Sequence, residues 1–404
     1  MNLYNKIKYF KKINDKAKGG GKKPKGKDDK AGGKDGKGGN KSDSTSTKTK
    51  EPSKINPVEG FARILMAVRT GTITYSQNNG TLLPGWNRGP NVVGMDKGFG
   101  APGYGFILGE QNTDFSGNVV RDIATEAAAN DWLVKSESIY TPYTGNRTEN
   151  ITARLNVEPF KGMRIELNAN RTKTDTRSSF FRWRTDTLTG GGAYVNDSPR
   201  ETGSFSVSMF NWPTTFAKDD ENFVNTLFTN LLAYRETISE RLGRERGQTD
   251  LPVGLPSDSS YWQGFGATNQ DVVIPAFLAA YTGKDPNSVK LNPFKLLPAP
   301  NWDITYDGLT KLEFFKKLFR TFTVNHSYRS TFNISSYQTN LFYQAGSDTT
   351  DVLGNFIPQR QITTITISEV MRPFINFDAT LQNSLLAKFE YNRDRNLSLS
   401  LTNN

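Results

Sequence analysis

The sequence has 404 residues, with 51 Lys and Arg, 40 Asp and Glu, one His and no Cys. The lack of Cys excludes a disulfide scaffold, a Cys-ligated zinc site and a thiol nucleophile, and one His leaves a single candidate base for a His-based triad. The mean hydropathy is −0.59, and no apolar run approaches the ~18 residues of a membrane-spanning helix, which excludes a helical membrane protein but not membrane-crossing strands.

The positive charge is confined to the N-terminal part of the sequence. Residues 1–55 contain 17 Lys and 6 acidic residues, whereas the remaining 34 basic and 34 acidic residues balance. Residues 14–54 have almost no apolar side chains, so we predict that 1–55 is a disordered, Lys/Gly-rich loop segment. A polybasic arm for nucleic acid or anionic lipid is the alternative, but no aromatic residues interleave with these lysines, and we predict no nucleic-acid partner.

The ends of the sequence predict an internal fragment of a longer protein. Residues 1–12 are basic but lack the apolar stretch of a signal peptide. The last residues stop inside an alternating pattern, so we expect 301–404 to be a truncated strand region.

Residues 56–214 are predicted to be a region of transmembrane β-strands. The clearest alternation lies in 151–157 and 163–170, where every second side chain is apolar and the others are polar or charged. Such a period of two gives each strand one apolar and one polar face. Pro159 and Gly162 between the two runs predict a hairpin.

Residues 215–300 interrupt the alternation and are predicted to form a small, mostly helical soluble insert. Asp219, Asp220 and Glu221 precede a helical stripe that runs from Phe223 to Leu242, and Gly243 is expected to end that helix. The apolar run 272–281 is too short to cross a membrane and predicts a buried helix.

Alternation returns in 301–404, the second predicted strand region. On the apolar face, Phe322, Val324, His326 and Tyr328 are followed by Phe332 and Ile334. A second run contains Ile375, Phe377, Ala379 and Leu381, and a third contains Leu385, Ala387, Phe389 and Tyr391.

Alternation alone fits two architectures, a soluble β-sandwich and a transmembrane barrel. Arg, Glu and Asn in the middle of strands favour the barrel, as do aromatic residues near strand ends, namely Phe180, Phe181, Trp183, Phe210 and Trp212. Under that interpretation the residues predicted to face the lumen are Arg154, Asn156, Arg164, Glu166 and Asn168. Those predicted to face lipid are Leu155, Val157, Ile165, Leu167, Phe377 and Phe389.

No motif predicts chemistry. The sequence 98–103 matches G-x-G-x-x-G but is followed by Tyr104 and Gly105, a poor start for a helix. His326 lies on an apolar face without a predicted acidic partner, and Asp348 and Asp351 lack the Gly and Glu positions of a calcium loop. We therefore predict that the protein is not an enzyme and has no catalytic residues, metal or cofactor.

Long stretches resemble the SprA family, the outer-membrane translocons of the type IX secretion and gliding machinery. They occur in family order and are spread over the sequence from residue 69 to residue 404. The stretches are RTGTITYSQNNGTLLPG (69–85), PGYGFILG (102–109), NVEPFKGMRIELNANRTKT (156–174), NQDVVIPAFLAAYTGKDP (269–286), PNWDITYDGLTKLEFFKKLFRTFTVNHSYRSTF (300–332) and FEYNRDRNLSLSLTNN (389–404).

The resemblance implies an all-β fold with a small α-helical insert, in which antiparallel strands form an arc of a very large transmembrane β-barrel. It implies a protein-conducting channel in the bacterial outer membrane that passes folded cargo proteins to the cell surface. The implied partners are membrane lipid, a PorV-type shuttle barrel, a plug protein and the cargo. At ~15–20 residues per strand and turn, we expect roughly 13–17 strands. The alternatives are another outer-membrane barrel, such as a nutrient receptor, and an extracellular β-sandwich.

Overall fold

A computed structural model describes residues 67–110, 121–188, 190–218, 221, 225–249, 260–344 and 347–401. The predicted disordered segment 1–55 lies outside these described residues. Within them the chain is mostly antiparallel β-sheet with a few helices, as the sequence predicts.

Nine strands form one sheet. They are β1 (Val68–Leu82), β2 (Tyr143–Val157), β3 (Met163–Thr185), β4 (Gly192–Ser208), β5 (Asn301–Tyr306), β6 (Phe319–Thr339), β7 (Arg360–Ile362), β8 (Thr364–Leu381) and β9 (Leu386–Ser400). The order across the sheet is β1-β2-β3-β4-β6-β8-β9, and every pair is antiparallel. Strand β5 lies between the lower parts of β3 (163–168) and β6 (324–328), and β7 pairs with the upper part of β6. In the described part of the chain, β1 and β9 are the two sheet edges.

Five α-helices accompany the sheet in the described part of the chain. They are α1 (Tyr104–Ile107), α2 (Ile123–Ala129), α3 (Thr226–Glu245), α4 (Gln270–Thr282) and α5 (Glu313–Leu318). The two longest, α3 and α4, both come from the segment 215–300.

The strands are longer than the alternating runs suggested. Seven of the nine described strands have 15 to 23 residues. The hairpin predicted around Pro159 and Gly162 is confirmed, since Val157 pairs with Ile165 and pairing continues to Tyr143 opposite Ser179. The expectation of 13–17 strands is too high for the described residues, because each strand continues past the point where its apolar alternation stops.

Helices α3 and α4 cover part of one sheet face. The buried cluster beneath them contains Phe205 and Val207 of β4, Phe332 and Ile334 of β6, and Ile365 and Ile367 of β8. Nearly all of α4 is buried, including Pro275. Phe332 and Ile334 continue the apolar face of β6 that the sequence predicts, but this part of the face packs against protein. Sequence periodicity fixes which side chains share a face and leaves open what covers it.

The predicted bounds of α3 are wrong at both ends. Asn225 caps the N-terminus, because its side chain accepts a hydrogen bond from the backbone N–H of Leu227, so Glu221 lies before the helix. The helix continues through Gly243 to Glu245. Gly243 is buried against the indole ring of Trp262, where a side chain would overlap the ring. Glycine is required at this position for close packing and does not mark the helix end.

A second, smaller core lies at the far end of β3 and β4. It joins Phe181 to Leu83, Ile123, Ala127 and Leu133. Phe181 and Trp183 both contact the ring of Tyr194, and the hydroxyl of Tyr194 donates a hydrogen bond to the carbonyl oxygen of Leu133. Phe181 is therefore buried in this core, and Tyr194 connects the segment before β2 to the sheet. The expected place of Phe181 and Trp183 in an interfacial girdle stays a prediction.

Candidate functional site

The candidate site is an apolar band across the lower part of the sheet, made of side chains in lateral register. One row places Leu155 opposite Leu167, Leu167 opposite Trp302, and Trp302 opposite Tyr328. Hydrogen-bonded antiparallel strands put opposed residues on the same face, so the row is continuous across four strands.

Two further rows extend the apolar band. The second contains Val157, Ile165, Ile304 and His326. The third contains Met163, Tyr306, Val324, Phe377 and Phe389, and the rings of Phe377 and Phe389 are stacked with centroids 5.9 Å apart. Apart from His326, these rows consist of aliphatic and aromatic residues.

The apolar band is open on its outer side. Ile73 on β1 is 81% exposed, and Phe389 on β9 is 56% exposed. Leu155, Val157, Ile165, Leu167 and Phe377 are half-buried by their neighbours in the sheet. The six residues predicted to face lipid thus lie on one face, and none is sealed inside a protein core.

Aromatic side chains mark the upper margin of the band. Trp302 stacks on Tyr328 with ring centroids 4.5 Å apart and 25° between the ring planes. Trp212 packs edge-on against Tyr328 at 5.4 Å, and Phe210 lies 6.0 Å from Trp302. The expectation that Phe210 and Trp212 belong to an aromatic cluster at strand ends is consistent with these contacts.

The lower margin is also aromatic. Phe315 of α5 packs against Phe322, with centroids 5.2 Å apart, and Phe319 lies 5.0 Å from Phe322. Phe160 in the β2–β3 turn contacts Tyr306 at 5.8 Å. The band therefore has an aromatic boundary on both sides.

The reverse face of the same strands is polar. Asn156 pairs laterally with Glu166, Glu166 with Asp303, and Asp303 with Ser327. The five residues predicted to face the lumen are all on this face; Arg154, Asn156, Arg164 and Glu166 are exposed and Asn168 is half-exposed.

Charges of both signs are mixed on the reverse face. Arg329 lies 3.3 Å from Asp303, Lys388 lies 3.0 Å from Glu390, and Arg164 lies 3.8 Å from Asp307. These pairs are substantially exposed to water, so each contributes little to stability. Their effect is a hydrated surface without a strong net charge.

His326 is placed by packing. Its ring contacts the rings of Trp212 and Phe374, at 5.8 Å and 5.6 Å, and its Nδ1 is in hydrogen-bond contact with the carbonyl oxygen of Phe374. Asp351 accepts hydrogen bonds from the backbone N–H groups of Leu353 and Asn355, which makes it a turn-forming residue. Among the described residues, no cluster of three or more acidic or His side chains is arranged to hold a metal ion.

Sequence reasoning missed a group of charged residues above the band. Arg171, Lys173, Asp175 and Arg177 continue β3 on the same face as Ala169, and Arg171 is paired with Ile151. The signal was an alternation of charged residues with Thr172, Thr174 and Thr176. The apolar alternation stops at residue 170, so the predicted run ends there.

None of the described helices is both long enough and apolar enough to cross a membrane. No protein-family model matches the chain, and a search of the curated proteins found no relative.

Proposed function

We propose that this chain is part of a protein-conducting channel in the bacterial outer membrane, of the type IX secretion system, and that its sheet is an arc of a very large transmembrane β-barrel. The observation that supports this most strongly is the open apolar band, bounded by aromatic residues above and below and backed by a polar face. Transmembrane barrels present such a band, about 25 Å tall, with aromatic girdles at both interfaces.

The height of the band is close to that of a bilayer core. In β6 the open part of the apolar face runs from Phe319 to His326, eight residues, and Tyr328 above it is fully buried. A tilted strand needs about 9–11 residues to cross the hydrocarbon core. The strands continue beyond this band, and there the same face is covered by α3 and α4 or becomes charged.

In this proposal the apolar band faces lipid and the reverse face lines the lumen. Exposed Arg154, Arg164 and Glu166 keep the wall hydrated, and the mixture of charges on this wall limits adhesion of passing proteins. Translocation then involves no covalent chemistry. The edges β1 and β9 would pair with further strands, because unpaired backbone groups in a bilayer cost several kcal/mol each.

The resemblance to the SprA family supports the specific channel, with folded secreted proteins as cargo and roles in secretion and gliding motility. It also supports a PorV-type shuttle barrel and a plug protein as partners. A β-sandwich is less favoured, because a sandwich needs a second sheet over the apolar face and all nine described strands belong to one sheet. A nutrient receptor barrel would share the band but would not account for the sequence resemblance.

Site-directed labelling tests the membrane placement. The chain has no Cys, so Ile165→Cys and Arg164→Cys each carry a single spin label on opposite faces. In the full chain reconstituted in lipid vesicles, we expect the label at 165 to meet oxygen dissolved in lipid and the label at 164 to meet a water-soluble relaxation agent. Equal access of the aqueous agent to both labels would contradict the proposal.

Secretion tests the channel assignment. In cells producing the complete protein, Ile165→Lys is expected to lower assembly and release of folded cargo, since a Lys on the lipid face costs about 2–4 kcal/mol near the bilayer midplane. Arg164→Lys is the matched control, because it keeps a positive charge on the reverse face. Normal cargo release by a fully assembled Ile165→Lys channel would count against a lipid-facing role.

A further inference from the structure

A cavity of about 920 Å³ lies directly above the apolar band, on the same face of the sheet. Its floor is the upper part of β2 and β3, and its wall is the segment Asn292–Leu297, which leads from the helical insert back to the sheet. The volume is in the range of small-molecule sites.

The lining of the cavity is strongly basic. Seven cationic side chains and three carboxylates line it, an excess of four positive charges. The strands contribute Arg147, Arg171, Lys173 and Arg177. Arg200, Lys295 and Arg360 surround them.

The carboxylates are used to hold the cations in place. Glu149 lies between two guanidinium groups, 2.6 Å from Arg147 and 3.6 Å from Arg171. The Glu149 carboxylate is therefore shared between the two guanidinium groups. Arg171 also donates a hydrogen bond from Nη2 to the carbonyl oxygen of Phe294, 3.1 Å away.

The other cations are also tethered. Lys173 lies 2.8 Å from Asp175, and Arg360 lies 2.8 Å from Glu201. The ring of Phe294 is within 6 Å of both Lys173 and Arg360. The cationic groups are therefore positioned before any ligand binds, which reduces the entropy lost on binding.

These charges are removed from bulk water. The side chains of Arg147 and Glu149 are each 12% exposed, and that of Arg171 is 14% exposed. Lower effective dielectric constant strengthens attraction between such cations and an anion. Guanidinium groups bind phosphate oxygens through paired, charge-assisted hydrogen bonds.

The cavity is continuous with the apolar band. Ile151 lines the cavity and is also paired laterally with Arg171, the first charged residue above Ala169 on this face. A molecule with apolar chains on the band would therefore place its polar end among these cations. Soluble anions would use the charge of the cavity but not this adjacent apolar surface.

We propose that the cavity binds the phosphate-bearing headgroup of an anionic lipid whose acyl chains lie on the apolar band. The inference rests on the proposed membrane placement of the band and adds to it a specific lipid site. The cationic side chains supply the hydrogen bonds to phosphate, and Phe294 with Leu296 closes the side of the cavity towards the insert.

Lipid selectivity of the full chain tests this proposal. The chain is reconstituted in phosphatidylcholine vesicles that contain spin-labelled phosphatidylglycerol or spin-labelled phosphatidylcholine, and electron paramagnetic resonance gives the motionally restricted fraction of each. We expect phosphatidylglycerol to be preferred roughly fivefold, because both headgroups carry a phosphate but phosphatidylcholine adds a choline cation that the basic lining repels. Arg171→Gln with Lys173→Gln should abolish the preference.

Two further variants separate binding from folding. Arg200→Gln with Lys295→Gln changes only exposed cations of the cavity, so it should weaken the preference without disturbing the sheet. Arg154→Gln with Arg164→Gln removes two charges from the reverse face and should leave the preference unchanged. A preference that survives both cavity variants would overturn the lipid site.

The outcomes distinguish this inference from the membrane proposal. Restricted lipid with equal affinity for both headgroups would overturn the lipid site and leave the membrane placement intact, whereas no restricted lipid would overturn both. Loss of the preference on adding inorganic phosphate would assign the cavity to a soluble phosphate. Loss on adding a poly-glutamate peptide, but not phosphate, would assign it to an acidic protein segment.

Discussion

Glu369 and Arg395 form an ion pair between neighbouring strands, with the Glu369 side chain fully buried and that of Arg395 only 17% exposed. The same carboxylate accepts hydrogen bonds from the hydroxyl of Tyr328, at 3.1 Å, and from that of Thr215, at 2.8 Å. Arg395 also donates from Nη1 to the carbonyl oxygen of Thr214, 2.7 Å away. The pair therefore connects the start of the helical insert to the sheet at the upper margin of the apolar band.

Glu369→Gln is expected to lower the free energy of unfolding by about 3–5 kcal/mol, because it leaves the charge of Arg395 buried without its partner. Guanidinium unfolding of the full chain, followed by Trp fluorescence, measures the change. Glu390→Gln is the matched control, since its ion pair with Lys388 is exposed and should contribute little to the free energy of unfolding. An equal decrease in the free energy of unfolding for the two variants would show that the buried pair contributes no more to stability than the exposed pair.

Gly203→Ala should destabilise the contact between β3, β4 and β6. A methyl group at this position would overlap the carbonyl oxygen of Thr174 and the hydroxyl of Tyr337. We expect the free energy of unfolding to decrease by about 1–3 kcal/mol, the usual cost of inserting atoms into a packed interior. The same unfolding titration measures this decrease. Gly80→Ala in β1 is the control, because no atom lies within 4 Å of its added methyl. A stability of Gly203→Ala equal to that of Gly80→Ala would contradict the close approach.

The segment before β2 should lose stability in acid. Arg121 donates hydrogen bonds from Nε and Nη2 to Glu126, at 2.5 Å and 2.7 Å, and this bonding lowers the pKa of the Glu126 carboxyl below its ordinary value. A lowered folded-state pKa means that the stabilisation is present above the unfolded-state pKa of about 4.3 and is lost as pH falls through the folded-state value.

Hydrogen exchange of residues 121–133 measures that loss. We expect the protection of these amides to decrease when the pH is lowered below about 4.3. The decrease should correspond to no more than about 1 kcal/mol of opening free energy, because the pair is partly exposed. Glu126→Gln should have low protection already at pH 7 and no acid-dependent step of this kind. Identical acid profiles for the two proteins would mean that another group titrates.

The fluorescence of Trp302 should report how deep the upper margin of the apolar band lies in the bilayer. If the membrane proposal holds, bromine atoms near the headgroup end of lipid chains will quench its fluorescence more than bromine atoms deep in the chains. Trp302→Phe should remove much of this difference. Trp132→Phe should not, because Trp132 is only 8% exposed within the second core. Trp212 lies 5.6 Å from Trp302 at the same margin, so a difference that survives in the double variant Trp302→Phe, Trp212→Phe would place this margin away from the membrane interface.

Much of the sheet was predictable because its signal is local. Residues 151–157 and 163–170 alternate strictly, and Pro159 with Gly162 marks their turn, so the central hairpin and its two faces followed from the sequence. The strand ends did not. Before Ala169, apolar residues alternate with polar residues, whereas after it charged residues alternate with Thr. Because this second pattern is a weaker strand signal, the upper half of β3 and the basic cavity on it were not predicted.

The sequence alone determined which side chains share a face, since a strand directs alternate residues to opposite sides whatever surrounds it. It also determined that 272–281 would be apolar enough to be buried. Only the tertiary structure decided what covers each part of a face. Phe322 and Phe332 have the same parity in one strand, yet Phe322 lies in the open band and Phe332 is fully buried beneath the insert. The difference depends on where residues distant in sequence fold back onto the sheet. A local pattern of alternating residues carries no information about such long-range contacts.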